Sequence, residues 1–185
     1  MVNTSYKRWI FVAIFLFGIG ITLGLVAPVS VANLVAEDIA ALKELSGILV
    51  PFSALTVIFI FIKNALALLL SFALSPIFCL LPILTLTVNG WLLAFVSVTV
   101  SQEESLGLVL AGLLPHGIFE LPALIMGEAA ALGFGTVVML ALFKKGRRSL
   151  LLPGLKRNLR YLMVALALLL PAAIIETYVT PLLLT

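Results

Sequence analysis

Charge is scarce in this sequence of 185 residues, and histidine and cysteine occur once each. Charged residues make up 10% of the chain, whereas a soluble globular domain carries about 25%. The single cysteine, Cys79, excludes an internal disulfide and a multi-cysteine metal site, and we expect it to be a small buried apolar side chain. The net charge of +3 is spread along several segments, so we expect no nucleic-acid partner.

Apolar residues dominate the composition instead: they account for 63% of the chain, and the mean hydropathy is +1.31. A helix of about 20 apolar residues crosses the ~30 Å core of a bilayer. We read the first such run as a retained helix, because it is longer than the apolar part of a signal peptide. The sequence therefore predicts an all-α protein of one domain, residues 1–185, in the cell (plasma) membrane. Its five spans lie within residues 9–27, 48–74, 76–100, 106–143 and 161–179.

The basic residues predict the orientation of this bundle. With the amino terminus in the cytoplasm and five crossings, nine of the eleven Lys and Arg residues fall on the cytoplasmic side, in residues 7–8 and in a basic loop over residues 144–160. Lys and Arg are enriched in cytoplasmic loops, and the carboxyl terminus is then outside. Residues 31–47 also lie outside in this arrangement, and their apolar residues recur at helical spacing, which predicts an amphipathic segment.

A few polar side chains interrupt the predicted spans. Ionisable groups within a bilayer are costly and usually face protein or water, and buried amides need hydrogen-bond partners. His116 and Glu120 are four residues apart and can share one face of a helix. We therefore predict an intramembrane polar cluster formed by His116, Glu120, Glu176, Asn89 and Asn64.

Proline and glycine predict irregular backbone in two spans. Residues 106–143 are too many for one simple crossing of about 17–25 residues. We expect a break in this fourth span near Pro115, formed by Pro115, Gly117 and Pro122. In the third span, Asn89-Gly90 predicts a kink or a locally unwound turn.

Small residues at four-residue spacing predict faces on which helices approach closely. One face carries Gly20 and Gly24 on the first span. The other carries Gly127, Ala131 and Gly135 on the fourth span. Such faces serve either within one chain or between two copies, so a homodimer is one expectation.

The segment from Leu114 to Ala123, LPHGIFELPA, resembles the stage II sporulation protein M family of membrane proteins. The resemblance covers roughly residues 51–181. It also includes Asn64, the spacing from Pro82 to Asn89-Gly90, and the segment from Ile175 to Pro181.

In sporulating bacteria, the family's namesake resembles the membrane anchor of the engulfment complex. It is associated there with the sporulation proteins D and P, which degrade peptidoglycan. The resemblance implies a non-enzymatic membrane scaffold without a cofactor. Such a scaffold would position membrane or extracytoplasmic partner proteins, including enzymes that remodel the cell wall. No catalytic residue is carried over, because the namesake acts as a scaffold.

The residues themselves leave other functions open. Histidine and carboxylates can form a path for protons or ions, which would make the chain a small channel or transporter. His116 and Glu120 are also weak candidates for a metal site, which would indicate an intramembrane metal-dependent enzyme. Their spacing lacks the second histidine of the zinc-protease helix motif. A purely structural hydrogen-bond network would use the same side chains to fix helix register.

Overall fold

The structure is a computed structural model that describes residues 5–27, 51–103 and 106–183. In these residues all regular secondary structure is helical, and five segments are long and apolar enough to cross a membrane. The predicted all-α, five-span architecture is therefore confirmed, whereas the segment predicted over residues 31–47 lies outside the described residues. The helices are α1 (Ser5–Leu25), α2 (Ala54–Leu74), α3 (Leu80–Glu103), α4 (Leu106–Phe143), a 3₁₀ helix (Lys145–Leu150), α5 (Leu151–Tyr178) and the short α6 (Thr180–Leu183).

Helix α4 is the centre of the bundle, and α1, α2, α3 and α5 all pack against it. Half of the residues in its membrane span are buried within the protein, compared with 33% or fewer in each other span. The most buried part of α4 consists of small side chains, including Ala129, Ala130 and Ala131. In lipid, helices associate mainly through close van der Waals packing, so small residues favour a central position.

The break predicted near Pro115 is not present. Helix α4 is continuous from Leu106 to Phe143 and holds Pro115 and Pro122 in its interior. A proline removes one backbone hydrogen bond and crowds the preceding turn, but membrane helices tolerate this where neighbouring helices support the backbone. Ala123, directly after Pro122, is fully buried, so packing supports the helix at this point.

Helix α3 is also continuous, and Asn89-Gly90 produces no unwound turn. The Asn89 side chain donates a hydrogen bond to the Thr85 carbonyl one turn earlier, at 2.7 Å. Gly90 is buried against α1, where an added Cβ would overlap the Phe17 carbonyl. The glycine therefore allows two helices to approach closely.

The partner face on α1 carries Gly20 and Gly24. A Cβ at Gly20 would overlap the Thr87 carbonyl, and one at Gly24 would overlap the Trp91 carbonyl. The contact of Gly24 lies four residues further along α3 than the contact of Gly20, so α1 and α3 run parallel. Glycines on both helices thus form one close interface.

Helices α4 and α5 form an antiparallel hairpin that extends beyond the other described helices. Gly133 packs against Asn158 of α5, and Gly135 packs against the backbone of Ser75 in the turn after α2. From Gly135, α4 continues for about 12 Å to Phe143, at 1.5 Å per residue. We call residues 142–152 the hairpin tip.

The basic loop predicted over residues 144–160 is mostly helical. A 3₁₀ helix occupies Lys145–Leu150, and α5 begins at Leu151. Lysine and arginine favour helices, and Pro153 is acceptable in the first turn, where its missing N–H has no intrahelical partner. As a result, α5 itself carries three of the basic residues: Lys156, Arg157 and Arg160.

Candidate functional site

A polar contact joins α2 to α4 near the middle of the bundle. The Asn64 Nδ2 atom donates a hydrogen bond to the Glu120 Oε1 atom at 3.3 Å, and both side chains are partly buried. Asn64 lies about 15 Å from either end of α2, at 1.5 Å per residue. At this depth, a polar side chain without a partner would be costly, so the contact stabilises both groups.

Glu120 also lines a cleft between α3 and α4 with a volume of about 580 Å³. Apolar side chains form most of its walls, and Glu120, Asn89 and Ser97 are its polar members. Largely apolar walls with a few polar groups are typical of a binding site. The cleft can therefore accept an apolar group that also carries a hydrogen-bonding or charged atom.

A second, smaller cavity of about 60 Å³ shares Asn89 and Glu120 with the cleft. Its other walls include Asn64 from α2, Thr85 from α3 and Leu169 from α5. A polar cavity of this size can hold a few water molecules. Four helices thus contribute side chains to the region around the Glu120 carboxylate.

Three of the five residues predicted as a polar cluster lie together, because Asn64, Asn89 and Glu120 line the smaller cavity. His116 is part of α4 one turn before Glu120, but its side chain lies outside the described residues. Glu176 is partly buried in the last turn of α5 and lines neither cavity. Its place in the cluster stays a prediction.

The packing face predicted on α4 contacts α2 and the turn that follows it. An added Cβ at Gly127 would lie 2.9 Å from Leu68, and one at Gly135 would lie 2.7 Å from the Cys79 sulfur. Ala131, between the two glycines, is fully buried. This face is therefore used within one chain.

Glu128 is the buried acidic residue that the sequence did not single out. It is fully buried, and the Ser71 hydroxyl donates a hydrogen bond to its Oε2 atom. Its Oε1 atom has no hydrogen-bond partner among the described residues. Glu128 is about 80° around the helix from Glu120, which favours a separate face.

The sequence does contain a signal for this second contact. Ser71 follows Asn64 by about two helical turns on α2, and Glu128 follows Glu120 by about two turns on α4. Because the two helices run parallel, a polar pair two turns further along can also meet. Matching the polar positions of α2 with those of α4 would have found it.

These features define a multi-pass helical membrane protein whose central helix is linked to a neighbour by two polar contacts, one partly buried and one fully buried. The chain belongs to the Stage II sporulation protein M family, whose sequence profile matches residues 11–181. The family predicted from the sequence is therefore confirmed.

Two relatives come from Methanocaldococcus jannaschii. Uncharacterized protein MJ0793 is 35% identical over 92 residues, which cover 50% of this chain and 50% of the relative. Uncharacterized protein MJ0706 is 33% identical over 97 residues, which cover 51% of this chain and 44% of the relative. The matches thus span about half the length of each relative. No solved structure matches the chain.

Proposed function

We propose that this chain is a non-enzymatic scaffold in the plasma membrane that holds partner proteins at the bilayer. The observation that carries the proposal is the hairpin tip, which extends beyond the other described helices. Leu142, Phe143 and Leu152 are 65%, 75% and 60% exposed there. Exposed basic residues surround them: Lys144, Lys145, Arg147 and Arg148. Such a mixture of exposed apolar and charged side chains suits a protein interface.

The two polar contacts between α2 and α4 support this role. A scaffold must hold its binding surfaces in a fixed relation, and hydrogen bonds between membrane helices help to fix their register. Asn64 with Glu120 and Ser71 with Glu128 join the same two helices at two depths. In this proposal Glu120 and Glu128 serve the architecture rather than a reaction.

Partners would bind on both sides of the membrane. In the orientation that the basic residues favour, the hairpin tip faces the cytoplasm and residues 31–47 lie outside. The outer partners would include cell-wall remodelling enzymes, as the sequence resemblance implies.

Site-specific photocrosslinking in native membranes tests the scaffold. A photoreactive amino acid replaces Phe143 or Leu152 at the hairpin tip, and the matched control replaces Phe11, which is 72% exposed on the outside of α1. We expect one defined protein adduct from the tip positions and lipid adducts from Phe11. Lipid adducts alone at all three positions would contradict a protein-binding role for the tip.

A small channel or transporter is the second candidate, and the two cavities that share Asn89 and Glu120 favour it. Purified protein in liposomes would then carry a proton or ion flux that Glu120→Gln abolishes without loss of folding. If the chain is only a scaffold, neither the wild-type protein nor Glu120→Gln should carry a flux.

A metal-dependent enzyme is the third candidate. Among the described residues, no group of three His, Cys, Asp or Glu side chains is close enough to hold a metal ion. A stoichiometric bound metal that His116→Ala removes would support it.

A further inference from the structure

Lys63 lies at the middle of α2, yet its side chain is exposed on the outside of the chain. Each end of α2 is about 14 Å or more away, at 1.5 Å per residue, which is farther than a lysine side chain extends. Its exposed neighbours are apolar: Phe59, Ile62 and Leu66. A charged group at this depth normally faces protein or water rather than lipid. The position of Lys63 therefore indicates that something other than lipid covers this face.

The cleft between α3 and α4 is the complementary feature. Asn64 is the next residue after Lys63, and it contacts Glu120 in the cleft. Lys63 and Glu120 thus lie at the same depth in the bundle. Two copies with the same membrane orientation would place the lysine of one at the level of the carboxylate of the other.

Gly117 provides an independent observation in the same cleft. An added Cβ would meet a single atom within 4 Å, the Leu121 Cδ1 at 4.0 Å. By contrast, the glycines at 20, 24, 90 and 127 are in close contact with a neighbouring helix, and Gly135 is in close contact with the turn after α2. Gly117 therefore leaves a helix surface one turn from Glu120 where, apart from its chain neighbours and the backbone of α4 itself, no atom of the described residues lies closer than 4.0 Å to an added Cβ. Open glycine surfaces of this kind allow close approach of another helix.

The Lys63 face and the cleft lie on one side of the bundle. Ala67 is one turn after Lys63 on α2, is exposed, and lines the smaller cavity. That cavity shares Asn89 and Glu120 with the cleft. Both surfaces can therefore belong to one two-fold interface, in which each copy offers the same patch.

We propose that a second copy of this chain covers these surfaces. In the dimer, α2 of each copy packs on the cleft of the other, and the Lys63 ammonium pairs with the partner copy's carboxylate at position 120. A carboxylate accepts several hydrogen bonds, so Glu120 can keep its bond from Asn64 while it receives one from the ammonium. The apolar neighbours of Lys63 then contact the apolar cleft walls. This inference does not depend on the scaffold role.

The oligomeric state of the full chain in lipid nanodiscs and liposomes, measured by single-molecule photobleaching over a range of protein-to-lipid ratios, tests the proposal. We expect wild type to dimerise. Gly117→Leu fills the cleft from within the chain, and Lys63→Gln removes the ammonium, so each should weaken dimerisation about tenfold. Gly18→Leu is the matched control, because Gly18 also has nothing within 4 Å but does not line the cleft. Lys63→Arg should retain dimerisation.

Three results would overturn the proposal. The first is a wild-type chain that stays monomeric at every ratio. The second is dimerisation of both Gly117→Leu and Lys63→Gln to the same extent as wild type, when their thermal midpoints show that both proteins are folded. The third is a photocrosslinker at Ile62 that reacts with lipid or with a different protein and never with a second copy.

Discussion

Glu128 is fully buried between α4 and α2, and its two carboxylate oxygens differ in their surroundings. Ser71 donates to one oxygen, whereas the other has no partner among the described residues. Glutamine has nearly the same shape and its amide oxygen can accept the same hydrogen bond. Alanine leaves both a cavity and an unpaired Ser71 hydroxyl. The two substitutions therefore separate the loss of shape and of the Ser71 hydrogen bond from the change of a carboxyl group to an amide.

We predict that Glu128→Ala destabilises the protein by about 2–4 kcal/mol, because it combines cavity formation with a lost buried hydrogen bond. Glu128→Gln should stay within about 1 kcal/mol of wild type. Thermal unfolding in detergent, followed by the fluorescence of the two tryptophans, measures both. A double-mutant cycle with Ser71→Ala gives the coupling between the side chains. Equal damage from glutamine and alanine would show that an amide cannot replace the carboxyl group at this position.

The polar residues also show how far local sequence reasoning extends. Asn64, Asn89 and Glu120 stand out because each interrupts an apolar run, and all three line one cavity. Glu128 interrupts an apolar run as well, but it lies on a different face of α4 from Glu120. Its contact with Ser71 therefore cannot be predicted from α4 alone. Its partner lies on α2, so the contact depends on the relative placement of two helices, which no single run of sequence encodes.

At the scale of helices, the glycines of α1 and α3 set how closely the two can pack. A side chain at Gly20 would overlap backbone atoms of α3, which cannot move aside without shifting the helix. We predict that Gly20→Leu costs about 2–3 kcal/mol or prevents folding, as overpacking does. Gly18→Leu, two residues away in open space, should leave the thermal midpoint within about 2 °C of wild type. Folded yield and unfolding midpoint measure both, and equal effects would contradict the assigned interface.

Apolar run length predicted five helices, but it did not predict the continuity of α3 and α4. Proline and Asn-Gly weaken a helix locally, whereas tertiary packing can outweigh local preference. Pro122 precedes the fully buried Ala123, and Gly90 is buried against Phe17. These supports come from neighbouring helices, so the sequence around each residue contains no sign of them. The same reasoning explains the helical basic segment, where α5 begins before Lys156.

At the scale of the whole molecule, the distribution of charge predicts one orientation in the membrane. Gly146 lies at the exposed hairpin tip among basic residues, and Gln102 lies exposed at the end of α3. The native thiol of Cys79 interferes little with a labelling experiment. It is buried, and burial raises its pKa, which lowers the fraction of reactive thiolate near neutral pH.

We predict that Gly146→Cys reacts with a membrane-impermeant maleimide after cells are permeabilised and not before, because basic loops stay in the cytoplasm. Gln102→Cys should react in intact cells, and the wild-type chain should react slowly in both states until it is denatured. Labelling of position 146 in intact cells would reverse the orientation and place residues 31–47 inside. Equal labelling of positions 146 and 102 in intact cells would indicate that different copies insert in opposite orientations. In that case the outer partners of the scaffold would lose their fixed side of the membrane.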